Sequence, residues 1–358
     1  MTLPAGRRVV VKEFAESPLD ALEKQMALEP MDAPAPEAIG PRDVVVAVKS
    51  ASVGWVDLLM TSGQYQHLPK PPYCPGLEYA GVIAAKGSEV GDAIAIGDEV
   101  LVDPFRVGPR SSGKYQSWGG FSSYAVVPVD TALRVPRGFS LDQACNLLGN
   151  YETAYHCLIA RGRLQAGETV LIHGASGSTG LAAVHIAKIL GATVIATGRS
   201  KDKLAIVKEQ GADHVLAAGD DDLRTRVKEL TGGKGVDVVY DGVGGDVSAE
   251  SLRCVKFGAR FLIVGWAATP FVAKEKNPNV LPTNLIMMKG VDVLGCPTVI
   301  STVNDPSIRP PRLARILEWA NEGKIRPHVS HTFPLEQYAE GWRAKWNNQV
   351  VGGCVLHP

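Results

Sequence analysis

The sequence predicts an α/β chain in two parts, a doubly wound parallel sheet and a separate compact β-barrel. Two observations carry this. Residues 169–203 spell out one strand–turn–helix–strand unit, and the segments before residue 140 are short apolar runs separated by glycine and proline.

The first observation is the stretch TVLIHGASGSTGLAAVHIAKILGATVIATGRSKDK. Residues 169–172 form an apolar, β-branched run that reads as a buried parallel strand, and Gly174, Gly177 and Gly180 follow at once. Apolar residues then recur at helical spacing over 179–190, Gly191 closes that segment, and 192–197 reads as a second strand. A turn passing directly from strand to helix needs glycine where φ is unusual, where backbone approaches a pyrophosphate, and where helix packs closely on strand. Free amides at the helix start then bind the phosphates, which assigns Ser176, Gly177, Ser178, Thr179 and Gly180 to a dinucleotide.

The end of the second strand selects the dinucleotide. An NAD site usually places a carboxylate there, on the ribose hydroxyl, whereas this chain has Gly198, Arg199, Ser200 and then Lys203. Two cations and no carboxylate suit a 2′-phosphate, so NADPH is expected over NADH. The alternative is that Arg199 and Lys203 are solvated charges at a helix start.

At 358 residues the chain is long enough for two domains, and at 45% hydrophobic residues it can build a substantial core. Lys+Arg and Asp+Glu both number 37, so no charge imbalance points to nucleic acid or an acidic membrane surface. Apolar runs stop well short of the roughly twenty residues of a membrane span. Residues 1–14 include two arginines and no apolar core of signal-peptide length, which leads us to expect a cytoplasmic protein. The six cysteines are scattered singly, without the close pairs of metal clusters, and reduced buried thiols are expected.

In order, 7–12 and 43–51 read as strands, and the polar, proline-rich 17–41 as a surface segment with a helical turn or two. Further strands are expected at 81–84, 98–102 and in FSSYAVVP, with 107–120 a loop and helical character over 141–157. The dinucleotide domain is expected over 150–300, with helices at 201–210 and 222–230 and strands at 236–240, 260–264 and 291–295. Residues 1–149 and 301–358 are assigned to the other domain, with a helix at 312–321 and a strand at 352–356. The apolar VDVLGCPTV at the edge of the sheet calls for a cover, and a homodimer joining two such strands is expected.

The motifs PGLEYAGVIAAKGSEV, GDEV, GGFSSYAVVP, ETAY, the glycine turn, YDGVGG and GKIRPHVSHTFPLEQYAEGW occur in one order over nearly the whole length. With them the chain resembles the medium-chain dehydrogenase/reductase superfamily, and within it the zinc-free quinone oxidoreductase branch. The resemblance implies a GroES-like β-barrel catalytic domain made from both ends of the chain, with a Rossmann-type domain inserted. It also implies Asn150 and Thr153 near the nicotinamide, and Asp241, Gly242, Val243, Gly265 and Trp266 along its ribose face, although Trp266 is equally a cleft-lining core residue.

Zinc members of the superfamily carry a cysteine three residues before an aspartate, where this chain has Gly54 before Asp57. Their histidine between glycine and glutamate is Leu77 here, the third ligand position falls near Asn150, and the 107–120 loop takes the place of the four-cysteine lobe. A catalytic zinc needs three nitrogen, sulfur or carboxylate ligands, so no metal is expected. Glu78 is read as a buried structural carboxylate. Without a Lewis acid the acceptor must already be electrophilic, which favours quinones and activated alkenes.

In related enoyl-thioester reductases the tyrosine of Gly-x-Tyr is the proposed proton donor. That motif falls here on Gly63, Gln64 and Tyr65, so Tyr65 is a candidate donor or, alternatively, a packing aromatic. Asp57 is a candidate for orienting cleft groups or for structural hydrogen bonding. The branch usually has asparagine at the position of Gly54, a departure that bears on acceptor preference. The expected function is NADPH-dependent quinone reduction by direct hydride transfer. Reduction of enones or enoyl thioesters, and NADPH binding as a sensor with little turnover, are the alternatives.

Overall fold

Three consecutive valines end the first strand, β1 (Gly6–Val11), and Val9 and Val11 are buried completely. The computed structural model describes residues 3–111, 113–218, 222–268 and 279–358. These divide into two units, one of residues 1–149 with 326–358 and one of residues 150–325.

In the first unit, 17–41 departs from the expected surface excursion. Ser17 caps a helix, Pro18–Lys24, by accepting the Asp20 amide at 3.1 Å, and β2 (Met26–Met31) then pairs antiparallel with β1. Met26 and Met31 are both buried. Pro30 stands opposite Arg7 in this two-stranded ribbon, where a missing N–H is tolerated.

The long strand β3 (Asp43–Ser52) is the centre of the barrel. Its residues pair antiparallel with β4 (Tyr79–Lys86) on one side and with β6 (Tyr124–Pro128) on the other, and β5 (Glu99–Val102) and β7 (Ala132–Arg134) extend the β4 side. Gly81 is required here, because a Cβ would lie 2.1 Å from the Ala47 carbonyl oxygen. The 107–120 loop is fastened to β3 by Asp43, a buried carboxylate that accepts Lys114 Nζ at 2.6 Å, the Tyr115 hydroxyl at 2.6 Å and the Gly40 amide at 2.9 Å.

The second unit opens with helix Leu148–Tyr155, which widens into a π-helical turn over His156–Arg161 instead of continuing as one regular helix. Five short strands and one longer one follow: β8 (Thr169–Ile172), β9 (Thr193–Gly198), β10 (His214–Ala217), β11 (Val236–Asp241), β12 (Val255–Ile263) and β13 (Asp292–Gly295). Among the described residues they form one parallel sheet in the order β10-β9-β8-β11-β12-β13. The order reverses between β8 and β11, and the carboxyl ends of those strands are where an open α/β sheet binds its ligand.

This unit runs to residue 325, past the expected boundary at 300. The reason is ionic. Helix Arg309–Asn321 brings Arg309 and Arg312 to Glu152, at 2.7 and 2.9 Å, so a carboxylate at the start of the unit holds the helix that ends it. The chain then returns to the first unit, where β14 (Val329–Pro334), not anticipated, lies parallel to β15 (Gly353–His357), and β15 pairs with β3.

Candidate functional site

Four strand ends of the second unit are tied together by backbone. The amide of His173, just past β8, donates to the Tyr240 carbonyl of β11 at 3.0 Å, and Ala175 donates to Thr197 of β9 at 3.1 Å. Val264 and Gly265 donate to the Asp241 carbonyl, Ala267 to Gly242 and Ala268 to Val243, so the loops after β11 and β12 are zipped to one another.

Between them lies the glycine turn. Gly174 adopts φ 63°, open to glycine at little cost. A Cβ on Gly180 would lie 2.4 Å from the Gly174 carbonyl oxygen, so the helix passes too close to the turn for any side chain. Helix Ser178–Ile189 starts from Gly177 without a side-chain cap, and the first amide to bond back along it is that of Leu181. The amides of Ser178, Thr179 and Gly180 therefore sit at the positive end of the helix dipole. The Thr179 hydroxyl donates to Asn150 Oδ1 at 3.2 Å, which joins the turn to the helix carrying Asn150 and Thr153.

At the end of β9, Gly198 packs against Leu204, and Ser200 caps helix Lys201–Glu209 by accepting the Lys203 amide at 3.4 Å. Arg199 is exposed and Lys203 half-buried. Burial, and then the Arg199 guanidinium, hold the Lys203 ammonium below its usual value.

Asp241 is a turn organiser. Its Oδ1 accepts the amides of Val243 and Gly244 at 2.9 and 3.0 Å, and its Oδ2 accepts the Ser248 hydroxyl. A Cβ on Gly242 would meet nothing within 4 Å, and one on Gly265 only the Gly242 carbonyl at 3.8 Å. No protein atom demands glycine at either place, and neither has φ in the left-handed region. Trp266 is 46% exposed, with its indole edge over Gly244.

His173 lies beneath the turn, 1% exposed, with Nδ1 2.7 Å from the Thr197 hydroxyl and Nε2 2.6 Å from the Ser251 hydroxyl. Ser251 spends its one proton on the Val247 carbonyl, so His173 Nε2 donates and Nδ1 accepts from Thr197. Burial holds this imidazole below its usual value against the pull of Asp241, and a neutral ring fits both bonds. Thr197, Ser248 and Ser251 were not anticipated: single hydroxyls at these spacings carry no sequence signal until the strands are assembled.

In the first unit, Asp57 lies in helix Trp55–Met60 and is 3% exposed. Its Oδ1 accepts the amides of Gly76 and Leu77, both at 3.0 Å, and its Oδ2 accepts Gly54 at 3.1 Å. Burial raises the carboxyl to about 6, with the three amides pulling the other way. All these bonds go to backbone, so Asp57 is a positioning residue for the 54 and 76–77 segments. Tyr65 is half-buried and meets the His67 ring edge-on at 6.2 Å. Beside it in sequence, Gln64 Nε2 and Oε1 and His67 Nε2 are buried without a hydrogen-bond partner, which sequence alone could not reveal. Glu78 Oε1 accepts the Gly149 amide at 2.7 Å. Among the described residues no group of three or more His, Cys, Asp and Glu side chains is arranged to hold a metal ion. No helix among them is long and apolar enough to cross a membrane.

Comparison with known proteins agrees with this architecture. Residues 40–137 match the alcohol dehydrogenase GroES-like domain and 178–305 the zinc-binding dehydrogenase family. A quinone oxidoreductase-like protein 2 homolog of Nematostella vectensis is 31% identical over 99% of this chain and 90% of its own length. The crystal structure of a probable oxidoreductase from Mycobacterium abscessus superposes with a TM-score of 0.80 at 29% identity, covering 99% of this chain and 100% of that one. A mycobacterial protein solved in complex with NADPH gives 0.76 at 25% identity, covering 99% and 100%. The glycine turn at the sheet's reversal point, the barrel built from both ends of the chain and these full-length likenesses place the chain in the medium-chain dehydrogenase/reductase superfamily, in its quinone oxidoreductase branch.

Proposed function

We propose that the chain reduces quinones with NADPH by direct hydride transfer, without a metal. The observation that carries this is the uncapped start of helix Ser178–Ile189 after β8, with Gly242, where a Cβ would meet nothing, at the end of the neighbouring strand β11. Glycines that no protein atom requires, together with the positive end of a helix dipole, suit a dinucleotide lying across the strand ends. In this reading the amides of Ser178, Thr179 and Gly180 hold the pyrophosphate, with Ser176 and Gly177 shaping the turn. Arg199 and Lys203, with Gly198 and Ser200, hold the 2′-phosphate. Asn150 and Thr153 lie on the nicotinamide side, and Asp241, Gly242, Val243, Gly265 and Trp266 line its ribose. When bound, the reduced nicotinamide supplies the hydride.

Zinc does not fit the positions it would need. Gly54 has no side chain and Leu77 is a buried hydrocarbon, so neither position can supply a ligand. The unsatisfied amide of Gln64 and the Tyr65 phenol supply polar groups for an acceptor oxygen, with Tyr65 able to deliver a proton to it. That phenol supports a second reading, reduction of enones and enoyl thioesters, where a developing enolate needs the proton more than a quinone does.

The test is NADPH oxidation across a panel of quinones and enones, with chelator present and absent. Turnover on quinones that is indifferent to chelator is expected. Activity confined to enones would transfer the assignment to the second reading, and tight NADPH binding without turnover on either class would leave a sensor. We also propose a homodimer formed across β13, which is the edge strand of its sheet; a monomeric mass at micromolar concentration would contradict it.

A further inference from the structure

His173 joins four elements of the second unit. It stands at the end of β8, which lies between β9 and β11 in the sheet. Its amide donates to the Tyr240 carbonyl of β11 at 3.0 Å, its Nδ1 accepts the Thr197 hydroxyl of β9 at 2.7 Å, and its Nε2 donates to Ser251 of helix Asp246–Cys254 at 2.6 Å. The His173, Thr197 and Ser251 side chains are all buried.

Each hydroxyl leads on to a different part of the strand ends. The Thr197 carbonyl accepts the Ala175 amide of the glycine turn at 3.1 Å, and the next two residues along β9 and beyond are Gly198 and Arg199. Ser251 shares its helix with Ser248, whose hydroxyl donates to Asp241 Oδ2, while Asp241 Oδ1 holds the amides of Val243 and Gly244. The imidazole therefore bridges the segment assigned to the 2′-phosphate and the turn assigned to the nicotinamide ribose.

We propose that His173 is a positioning residue for dinucleotide binding, a rigid spacer that holds the end of β9 and the Asp241 turn at the separation a single ligand spans. The proposal rests on the reading of NADPH across these strand ends. A neutral imidazole carries one donor and one acceptor at a fixed distance on a planar ring. Because Ser251 gives its proton to the Val247 carbonyl, the bonds run in one direction, from Thr197 through His173 and Ser251 to Val247. A ligand with two ends gains affinity when its second end meets a subsite already at the right distance. Loosening the spacer should thus weaken the whole dinucleotide much more than half of it.

The experiment titrates the full chain calorimetrically with NADPH and with 2′,5′-ADP, which carries the 2′-phosphate half alone. In His173→Phe, which keeps a planar ring but neither donor nor acceptor, the Kd for NADPH should rise about tenfold or more while that for 2′,5′-ADP stays within about twofold. Thr197→Val removes one bond of the series and keeps the backbone contact to Ala175, so it should show the same split at smaller size; it decides the question if His173→Phe does not fold. Equal losses on both ligands would make His173 a packing residue and overturn the proposal, as would unchanged NADPH affinity. A wild-type chain that binds neither ligand would overturn the NADPH reading, and this proposal with it, whereas the first two outcomes leave that reading standing.

Discussion

Arg312 and Glu152 meet inside the second unit at 2.9 Å, with side-chain exposures of 4% and 8%. The same carboxylate holds Arg309, and Arg312 also donates to the Thr302 hydroxyl at 2.8 Å. Removing the anion strands a buried cation, which costs about 3–5 kcal/mol. Glu152→Ala should therefore lower unfolding stability by that order in a denaturant titration, whereas Arg315→Ala, on the exposed side of the same helix, should change it by less than about 0.5 kcal/mol.

Glycines 180 and 242 should separate folding from binding. Gly180→Ala forces a Cβ against backbone at 2.4 Å and should cost about 1–3 kcal/mol of stability as well as dinucleotide affinity. Gly242→Ala projects into open space, so its stability should stay within about 0.5 kcal/mol of wild type while NADPH affinity falls. Calorimetric titration with thermal melts on both variants reads the two effects independently.

Arg199→Ala tests the choice of dinucleotide. Loss of one charge-assisted contact to a 2′-phosphate, about 1.5–3 kcal/mol, should raise the dissociation constant for NADPH about tenfold or more and leave NADH unchanged. Equal losses for both cofactors would remove the 2′-phosphate from that position.

Tyr65→Phe keeps the ring and removes the proton. If the phenol donates, kcat on enones should drop about 100-fold, in the usual range for general acid catalysis, with a smaller drop on quinones. A rise in KM with kcat unchanged on both classes would make Tyr65 a packing surface for the acceptor.

Asp57 makes a prediction about pH. Its carboxyl is raised from 3.8 to about 6 by burial, so between those values the folded chain keeps a proton that the unfolded chain has lost. The associated stability is complete below about pH 4 and is lost as pH rises through about 6, a difference of about 3 kcal/mol. Between pH 4 and 7 the unfolding free energy of wild type should fall by about that amount relative to that of Asp57→Asn, and parallel curves would exclude Asp57 as the source.

The strand–turn–helix–strand unit was legible because each element has its own local signal: β-branched run, glycines, helical spacing. Strands β1, β3, β4, β5, β6 and β15 were legible for the same reason, whereas β7 and β14 were not. The segment holding β2 was not, since MALEPM reads as polar and proline-broken until β1 supplies its partner. The end of the second unit was also hidden, because the tie from Glu152 to Arg309 and Arg312 spans more of the chain than any local pattern reports. At the candidate site the glycines announced themselves, whereas the hydroxyls of Thr197, Ser248 and Ser251 acquire meaning only through His173 and Asp241.

The anchoring of the 107–120 loop through Asp43 has a consequence for its durability. Among its attachments, the one to β3 runs through a carboxylate. Burial opposes its ionisation, but the hydrogen bonds from Lys114, Tyr115 and Gly40 prevail and keep the Asp43 carboxyl below its usual value. Such a clasp holds at neutral pH and lets go only in strong acid, once its carboxylate takes up a proton. The loop's tie to β3 therefore answers to the proton.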